Sequence, residues 1–299
     1  MTRLPPSRYS FGGDEHLFVE ISEEMSLPAF FKAMALTQEL SKRNLPGITE
    51  ICPANAAYLV RFDPDVMQPD TLVDALKDIE NSVGDADMEL DTRIIEVPVL
   101  YNDPWTNETQ MRFRERHQDP SSTDLEYAAR ANHYAEVNEF IAAHSDSPWF
   151  VSMVGFVAGL PFLFQMVERD RQIEVPKYLR PRTDTPKLTV GHGGCFSCVY
   201  SVRGAGGYQM FGVTPAPIFD PEQRLAYLKE LMVFFRPGDI VKWRPITREE
   251  YDRDIEAVEA GTFDLRIRPV RFSLKRFLAD PTRYNAGLIE HLCGEGAQA

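Results

Sequence analysis

The feature that most limits the fold of this chain is a change of pattern about halfway along it. Over roughly the first hundred residues, strand signals alternate with helix signals. "EHLFVEIS" (15–22) alternates apolar with polar residues, and "LPAFFKAMALTQELSKRN" (27–44) then places apolar residues at helical spacing. From residue 149 onward, glycines and prolines separate short β-type segments. We therefore expect an α+β protein with two differently built parts.

The first part continues with two short strand signals, "GITEICP" (47–53) and "AAYLVRF" (56–62). A second amphipathic helix follows at 68–84, ended by Gly84, and "TRIIEVPVLY" (92–101) is a further strand. The order strand, helix, strand, strand, helix, strand is a split βαβ pattern that folds two helices onto one antiparallel sheet. This predicts a small α+β domain over residues 1–92.

The second part begins with a polar, turn-rich connection and a helical stretch around 123–144. The short β-type segments that follow are typical of a barrel or sandwich, which predicts a mostly β domain over 93–245. Beyond it, residues 246–299 hold a charged helix, a short strand and another helix, and we interpret them as a helical C-terminal appendage.

Charge and hydropathy exclude several kinds of partner. The 299 residues carry a formal net charge of −13, which argues against nucleic acid, because binding to the phosphate backbone needs clustered cations. No apolar run approaches the roughly 20 residues that cross a bilayer, and the first residues lack the apolar core of a signal peptide. We therefore predict a cytoplasmic protein without a membrane partner. Its cysteines lack the spacing of a disulfide framework, so structural disulfides are not expected.

The segment "TVGHGGCFSCVYSVRGAGGYQMFGVTP" (189–215) is the most conspicuous in the chain. It holds seven glycines, Cys195, Cys198 and His192. A redox Cys-x-x-Cys normally lies at a helix N-terminus, whereas this pair lies among β-forming residues. No second Cys or His pair follows at zinc-finger spacing, so no metal is predicted. A small, buried apolar role is the better interpretation of Cys198.

The glycines of this segment match neither a P-loop nor a strand-to-helix GxGxxG motif. Glycine also serves in tight turns, in bulges and where a ligand approaches the main chain closely. No serine lies in a recognisable nucleophile elbow, so a Ser-His-Asp hydrolase is not supported. From the residues alone, turns, bulges and a close approach of a ligand to the main chain all stay open for this segment.

Three motifs carry a family resemblance: "GHGGCFSCVY" (191–200), "GGYQMFG" (206–212) and "RPGDIVKW" (236–243). They resemble the allophanate hydrolase subunit 1 family. That family includes Kip-type histidine kinase inhibitors, the small subunit of ATP-dependent 5-oxoprolinase and one half of the carboxyltransferase domain of urea carboxylase. The urea carboxylase branch is the most similar, because "KY…RTDTP" (177–186) and a tail of the form "ITREEY…GTFDLRI…RFSLKRF" accompany these motifs.

The resemblance implies a ferredoxin-like N-terminal domain and a cyclophilin-like β-barrel. It implies an active site shared with a homologous, subunit 2-type carboxyltransferase partner, on urea or a related small amide. No cofactor is expected to be bound covalently: carboxybiotin would come from a separate carrier and its carboxylase, and a partner would use the ATP. Two alternatives stay open, a subunit of an ATP-dependent lactam or amide hydrolase and a Kip-type kinase inhibitor.

The resemblance and the composition of the glycine-rich segment together suggest the site residues. The predicted catalytic residues are Gln209, Tyr200 and His192, and the predicted substrate-binding residues are Tyr208, Gly206, Gly207, Gly193 and Gly194. A glutamine amide donates to a carbonyl and accepts from an N–H at once, which suits a planar amide substrate. Packing roles for both tyrosines, and a core position for His192, stay open as alternatives. His192 and Val213 replace an aliphatic residue and an arginine that are common in the family.

Overall fold

The computed structural model describes residues 4–83 and 89–294. The chain forms two compact units, one made of residues 1–90 and 271–279 and the other of 91–270 and 280–299. The predicted end of the helix at Gly84 lies outside the described residues.

The described part contains these strands: β1 Arg8–Phe11, β2 His16–Glu20, β3 Ile48–Ala54, β4 Ala57–Phe62, β5 Glu89–Tyr101, β6 Trp149–Val154, β7 Pro161–Gln165, β8 Arg182–Thr185, β9 Thr189–Gly193, β10 Phe196–Val199, β11 Gly204–Gly206, β12 Gln209–Val213, β13 Ile240–Pro245 and β14 Ile267–Ser273. Its α-helices are α1 Leu27–Arg43, α2 Pro69–Val83, α3 Pro104–Phe113, α4 Asp124–Ala131, α5 Val137–Asp146, α6 Arg248–Glu259, α7 Leu274–Ala279 and α8 Pro281–Cys293. Within these residues, no helix has the length and apolar character needed to span a membrane.

The first unit is a four-stranded antiparallel sheet, in the order β1-β2-β4-β3, with helices α1 and α2. Helix α1 begins where the Ser26 side chain accepts the Ala29 N–H, and it ends at Asn44 in the left-handed conformation. The apolar stripe of α1 and α2 packs with the inward residues of β2 and β4 into one core, because each element is apolar on one side only.

This sheet differs from the split βαβ pattern at both ends. The short strand β1 precedes the first predicted strand, and β5 lies in a different, eight-stranded sheet. Ile94, Ile95, Val97 and Val99 are all fully buried. A strand that is apolar on both faces fits the middle of a large sheet with a parallel neighbour, and β5 does pair in parallel with β13.

The second unit is built on that larger sheet, whose strands run in the order β12-β9-β10-β7-β6-β13-β5-β14. Strand β12 also pairs with β5, through Gly212 opposite Tyr101, so the strands from β5 round to β12 close into a ring. The interior is filled by large apolar side chains, among them Trp149, Phe211 and Trp243. The coarse expectation of a mixed protein with a β-rich second part is confirmed, while the finer comparisons with ferredoxin and cyclophilin stay predictions.

The predicted C-terminal appendage does not form a unit of its own. Residues 246–270 and 280–299 belong to the second unit, where the Glu96 N–H donates to the Arg266 carbonyl at 2.9 Å. Residues 271–279 belong to the first unit, where the ring of Phe272 stacks on Phe31 at 5.1 Å. Phe272 is fully buried, although the sequence around it is strongly charged and does not indicate a core residue.

The segment predicted as a turn-rich connection contains helix α3, and the helical stretch predicted around 123–144 is two helices, α4 and α5. Helix α4 begins with a capping box between Thr123 and Glu126. His133, at a φ of 63°, lies between α4 and α5 and separates them. The capping box fixes the first residue of α4, Asp124, which is fully buried.

Candidate functional site

The glycine-rich segment forms β9 to β12, and two of its glycines make room for tyrosine rings. A Cβ on Gly193 would lie 2.4 Å from the ring of Tyr208. A Cβ on Gly206 would lie 2.5 Å from the hydroxyl of Tyr200. Any other residue at these positions would displace the rings, so the glycines are required for close packing. Tyr200 and Tyr208 form a small apolar cluster with Leu160 and Cys198.

This cluster reaches the surface beside an exposed cation. The ammonium of Lys177 lies 5.1 Å from the centre of the Tyr208 ring, within cation–π distance. Tyr208 itself is only 9% exposed. The cluster is therefore a water-poor region with one charged group at its edge.

A network of buried polar groups lies behind the glycine-rich strands. The carboxylate of Asp124 accepts the Tyr178 hydroxyl at 2.7 Å and the Met210 N–H at 2.7 Å. It also lies 3.6 Å from Nε2 of His117. Burial raises the pKa of Asp124 above its ordinary value, and the Tyr178 and Met210 hydrogen bonds and the charge of Arg182 oppose this rise. Asp124 thus ties α4 to the start of β12.

Gln209 belongs to the same network, and both the oxygen and the nitrogen of its side-chain amide make hydrogen bonds. Its Oε1 accepts from Nε2 of His117 at 2.8 Å, and its Nε2 donates to the Pro176 carbonyl at 2.8 Å. Nδ1 of His117 lies 2.8 Å from the Asp119 amide nitrogen and 2.9 Å from the Asp119 carbonyl oxygen, which holds the ring in place. Gln209 has no exposed surface. Its hydrogen bonds join strand β12 to the loops that contain His117 and Pro176.

Arg182 is the group in the network with donors to spare. It is fully buried, and its guanidinium lies 4.4 Å above the ring of Tyr178. Its Nε donates to the Thr185 hydroxyl at 3.3 Å, but within residues 4–83 and 89–294 neither Nη atom has a hydrogen-bond partner. Buried polar groups are normally paired, so the two Nη atoms are available to a water molecule, an ion or a ligand.

Tyr200 provides a second uncommitted donor nearby. Its hydroxyl accepts the Tyr208 N–H at 3.3 Å, and in the described part of the chain its own proton has no acceptor. Burial raises the pKa of Tyr200, and the charge of Arg182, the hydrogen bond that the phenol oxygen receives from the Tyr208 N–H and a polar contact with the Arg182 side chain oppose that rise. A side chain on Gly206 would clash with this hydroxyl, and Gly206 pairs with Arg182 across β8 and β11. Arg182 and Tyr200 thus place N–H and O–H groups together beside strand β11, which is made of two glycines and an alanine.

His192 lies apart from these donors, inside the barrel. Its Nε2–H donates to the carbonyls of Ile173 and Gly194, each at 3.1 Å. The rings of Trp149 and Phe211 surround it, at centroid distances of 5.6 and 5.9 Å. Burial lowers the pKa of His192 to about 4, against a smaller opposing effect of the two carbonyls. The structure gives it the core position that the sequence left open.

The two cysteines of the segment have structural positions. Cys195 lies in the turn between β9 and β10, next to Gly194, and Cys198 is buried in the tyrosine cluster. Burial raises the pKa of both thiols, which disfavours the reactive thiolate. Among the described residues, no group of three His, Cys, Asp or Glu side chains could hold a metal ion.

The structure brings together most, but not all, of the predicted site residues. Tyr200, Tyr208, Gly193 and Gly206 are in contact with one another, and the Gly207 carbonyl accepts the Tyr178 N–H at 2.8 Å. Gly194 lies at the hairpin turn. Sequence reasoning did not select the following members of the network: His117, Asp124, Tyr178 and Arg182.

The four network residues that the sequence did not point to differ in how recognisable they are in the sequence. Tyr178 and Arg182 lie inside "KY…RTDTP", which had already been recognised as a motif. The motif and the residue before it hold one tyrosine and two arginines among three prolines, and these side chains could have been considered as site residues. His117 and Asp124 lie in a stretch that resembles an ordinary polar connection, and only the long-range pairing exposes their role.

A comparison with known families matches residues 7–228 to the family described as "Carboxyltransferase domain, subdomain C and D". The match covers more than half of the chain. This chain belongs to that carboxyltransferase family. The matched range includes the tyrosine cluster and the Asp124 network, and it ends before α6, so the C-terminal part of the chain lies outside the family match.

Two kinds of curated relative accompany this carboxyltransferase-family assignment. Urea amidolyase of Lachancea kluyveri is 25% identical over 279 residues, which are 92% of this chain and 15% of the relative. A 5-oxoprolinase subunit of Bacillus subtilis is 28% identical over 250 residues, 80% of this chain and 92% of the relative. The chain thus spans a small part of the first relative and nearly the whole of the second.

Among solved structures, the urea carboxylase of Kluyveromyces lactis superposes with a TM-score of 0.82 at 22% identity, over 97% of this chain and 26% of that chain. The protein TTHA0988 superposes with a TM-score of 0.58 over 78% of this chain and 40% of that chain, at 23% identity. At these identities the likeness shows a shared fold.

Proposed function

We propose that this chain is one subunit of a biotin-dependent carboxyltransferase that acts on urea or a related small amide. The observation that carries the proposal is the pair of uncommitted buried donors, the Arg182 guanidinium and the Tyr200 hydroxyl, beside strand β11. An amide becomes a nucleophile at nitrogen when its oxygen is bound by donors that favour negative charge there. Donors fixed in a water-poor site do this most effectively.

The residues of the site would divide the work as follows. Arg182 and Tyr200 would hold the amide oxygen, and the main chain of β11 would align the flat molecule, because its small residues leave the backbone approachable. Asp124 would balance the charge of Arg182 and keep Tyr178 in place. The tyrosine cluster would exclude water. Gln209 would act as a positioning residue that holds the loops of His117 and Pro176.

Carboxybiotin, delivered by a separate carrier, would supply the carboxyl group, and a partner protein would use the ATP. Arg182 and Tyr200 both lie on this chain and both act as donors, so neither of them is the base that removes the amide proton. We therefore propose that a homologous, subunit 2-type partner completes the site. The Bacillus subtilis relative is named as a subunit, which supports a multi-subunit arrangement.

The extent of the matches supports carboxylation over its main alternative. The alignment with urea amidolyase covers 92% of this chain, whereas that with the 5-oxoprolinase subunit covers 80%. The second alignment nevertheless covers 92% of its relative, a specific observation in favour of an ATP-dependent amide or lactam hydrolase subunit. The same donors would then polarise an amide oxygen for phosphorylation.

The experiment is reconstitution with the proteins that co-purify with a tagged chain. We predict that a biotin carrier, its carboxylase and a homologous subunit are recovered, and that urea or another small amide stimulates ATP turnover only when this chain is present. ATP turnover that needs no biotin protein would favour the hydrolase. Recovery of a histidine kinase alone, without amide-dependent turnover, would contradict both and favour a Kip-type inhibitor.

A further inference from the structure

A second candidate site lies on the second unit, outside the network described above. It is an open cleft of about 400 Å³ beside helix α3. Trp105, Glu108 and Arg112 line it from one face of α3, because their spacing of three and four residues places them on the same side of the helix. Lys187 and Arg203 line the opposite wall.

The cleft has an excess of positive charge in a strongly acidic chain. Arg112, Lys187 and Arg203 line it, with Glu108 as the one carboxylate in the lining. Asp184 binds both arginines: it accepts from Nε and Nη2 of Arg203 at 2.6 and 2.8 Å, and from Nη2 of Arg112 at 3.0 Å. One carboxylate thus fixes two guanidinium groups in place while neutralising only one of them.

Lys187 has no counter-ion of its own. Within the described ranges it makes no hydrogen bond or salt bridge, and its side chain is exposed at the cleft. An unpaired lysine next to two arginines that are already held in place attracts an anion. Binding the anion breaks no existing ion pair of the lysine.

The remaining walls are flat and apolar. Trp105 is 37% exposed, and the ring of Tyr251 lies 5.2 Å from it at an angle of 39°. Arg248 covers part of Trp105 at 4.8 Å, and Val213 closes the inner side. These walls fit a flat ligand, and the cations fit a planar anionic group attached to that ligand.

The geometry points to a binding site for a small organic anion with a planar body, a carboxylate or a phosphate monoester, held by Arg112, Lys187 and Arg203 against Trp105. This site is independent of the proposed carboxyl transfer, because none of its residues belongs to the Arg182 and Tyr200 donor pair. Its occupant would be a ligand that this chain binds without a partner.

Trp105 provides the probe for the test. Trp149 and Trp243 are fully buried, so added quenchers reach Trp105 first. We expect iodide to quench the fluorescence of the intact chain about twofold more effectively than that of the Lys187→Gln variant, since one unit charge nearby changes the local iodide concentration by that order. Neutral acrylamide should quench the two equally. Lys229→Gln, an exposed lysine outside the cleft, is the matched control and should resemble the unmodified chain.

Ligand binding is measured with three matched probes: benzoate, phenyl phosphate and the neutral benzamide. We expect benzoate or phenyl phosphate to protect Trp105 from acrylamide, benzamide not to do so, and Lys187→Gln to weaken the protection severalfold. Protection by benzoate alone identifies a carboxylate ligand, and protection by phenyl phosphate alone a phosphate ligand. Equal iodide quenching in both proteins, with no difference between benzoate and benzamide, would overturn the inference. These measurements use this chain alone, so their failure is separate from a failure of carboxyl transfer.

Discussion

His192 shows how one buried imidazole makes the stability of the barrel depend on pH. Its Nε2 is paired, and its buried Nδ1 has no partner in the part of the chain that the structure describes. Burial lowers its pKa from 6.5 to about 4. Because the folded-state pKa lies below the unfolded value, the unfolded chain binds the proton first as the pH falls. The stability that neutral His192 contributes is complete above pH 6.5 and is lost between pH 6.5 and about 4.

His192→Leu should therefore flatten the dependence of the unfolding free energy on pH over that window. The difference between variant and unmodified chain should shrink as the pH falls, by about 3 kcal/mol at most, since one unit of pKa shift corresponds to about 1.4 kcal/mol. Urea unfolding at a series of pH values measures this. His133→Asn removes an exposed imidazole and serves as the control. Parallel pH profiles for His192→Leu and the unmodified chain would show that His192 does not titrate as described.

Gln209 is the second residue whose position gives a prediction. Gln209→Ala leaves the N–H of His117 and the carbonyl of Pro176 without their partner. We expect a loss of about 1–3 kcal/mol in unfolding free energy, the usual cost of unpaired buried polar groups. Gln172→Ala, which removes a single long, half-buried side-chain hydrogen bond of 3.4 Å, is the control and should cost less than Gln209→Ala. If Gln209→Ala keeps its stability but loses much of its activity, the result would support a direct catalytic role for Gln209.

At the scale of elements, tyrosine rings occupy the space that side chains would take at Gly193 in β9 and Gly206 in β11. Gly193→Ala would press a methyl group against Tyr208, so we expect a loss of about 1–3 kcal/mol in stability. Gly204→Ala, where a Cβ meets nothing within 4 Å, is the matched control and should be close to neutral.

A double-mutant cycle separates this clash from other effects of the substitution. If the ring of Tyr208 is the cause, Gly193→Ala should cost much less in a Tyr208→Ala background than in the unmodified chain. Equal costs in both backgrounds, measured by urea unfolding, would place the strain elsewhere.

The elements also show what the sequence could and could not predict. Periodicity located α1, α2 and most strands, since their burial depends on local spacing. Periodicity did not reveal that β5 belongs to the second sheet and not to the first, because an apolar strand does not indicate which strand it pairs with. The motifs "KY…RTDTP" and "GGYQ" are visible in the sequence because each is a short local pattern. His117 and Asp124 are not, because their partners Gln209 and Met210 lie more than eighty residues further along the chain.

At the scale of the whole molecule, Arg182 is the proposed centre of a site that works only in a complex. Arg182→Met keeps the length of the side chain and removes the donors. We expect it to lower turnover of the reconstituted complex by about a hundredfold or more, the usual effect of losing a donor to a developing oxyanion. Arg180→Met, an exposed arginine two residues away, should leave turnover unchanged. Circular dichroism and recovery of the partner check folding, and Arg182→Lys keeps the charge if the methionine variant fails to fold.

The most direct measurement of the central claim follows a labelled carboxyl group. A biotin carrier charged with radiolabelled carboxylate is mixed with this chain, its homologous partner and a small amide, and the label is traced. We predict that the label moves to the amide only when both chains are present, and that Arg182→Met abolishes most of the transfer while Arg180→Met does not. Label that stays on the carrier with every amide tested, in a complex that still hydrolyses ATP when an amide is added, would contradict carboxyl transfer.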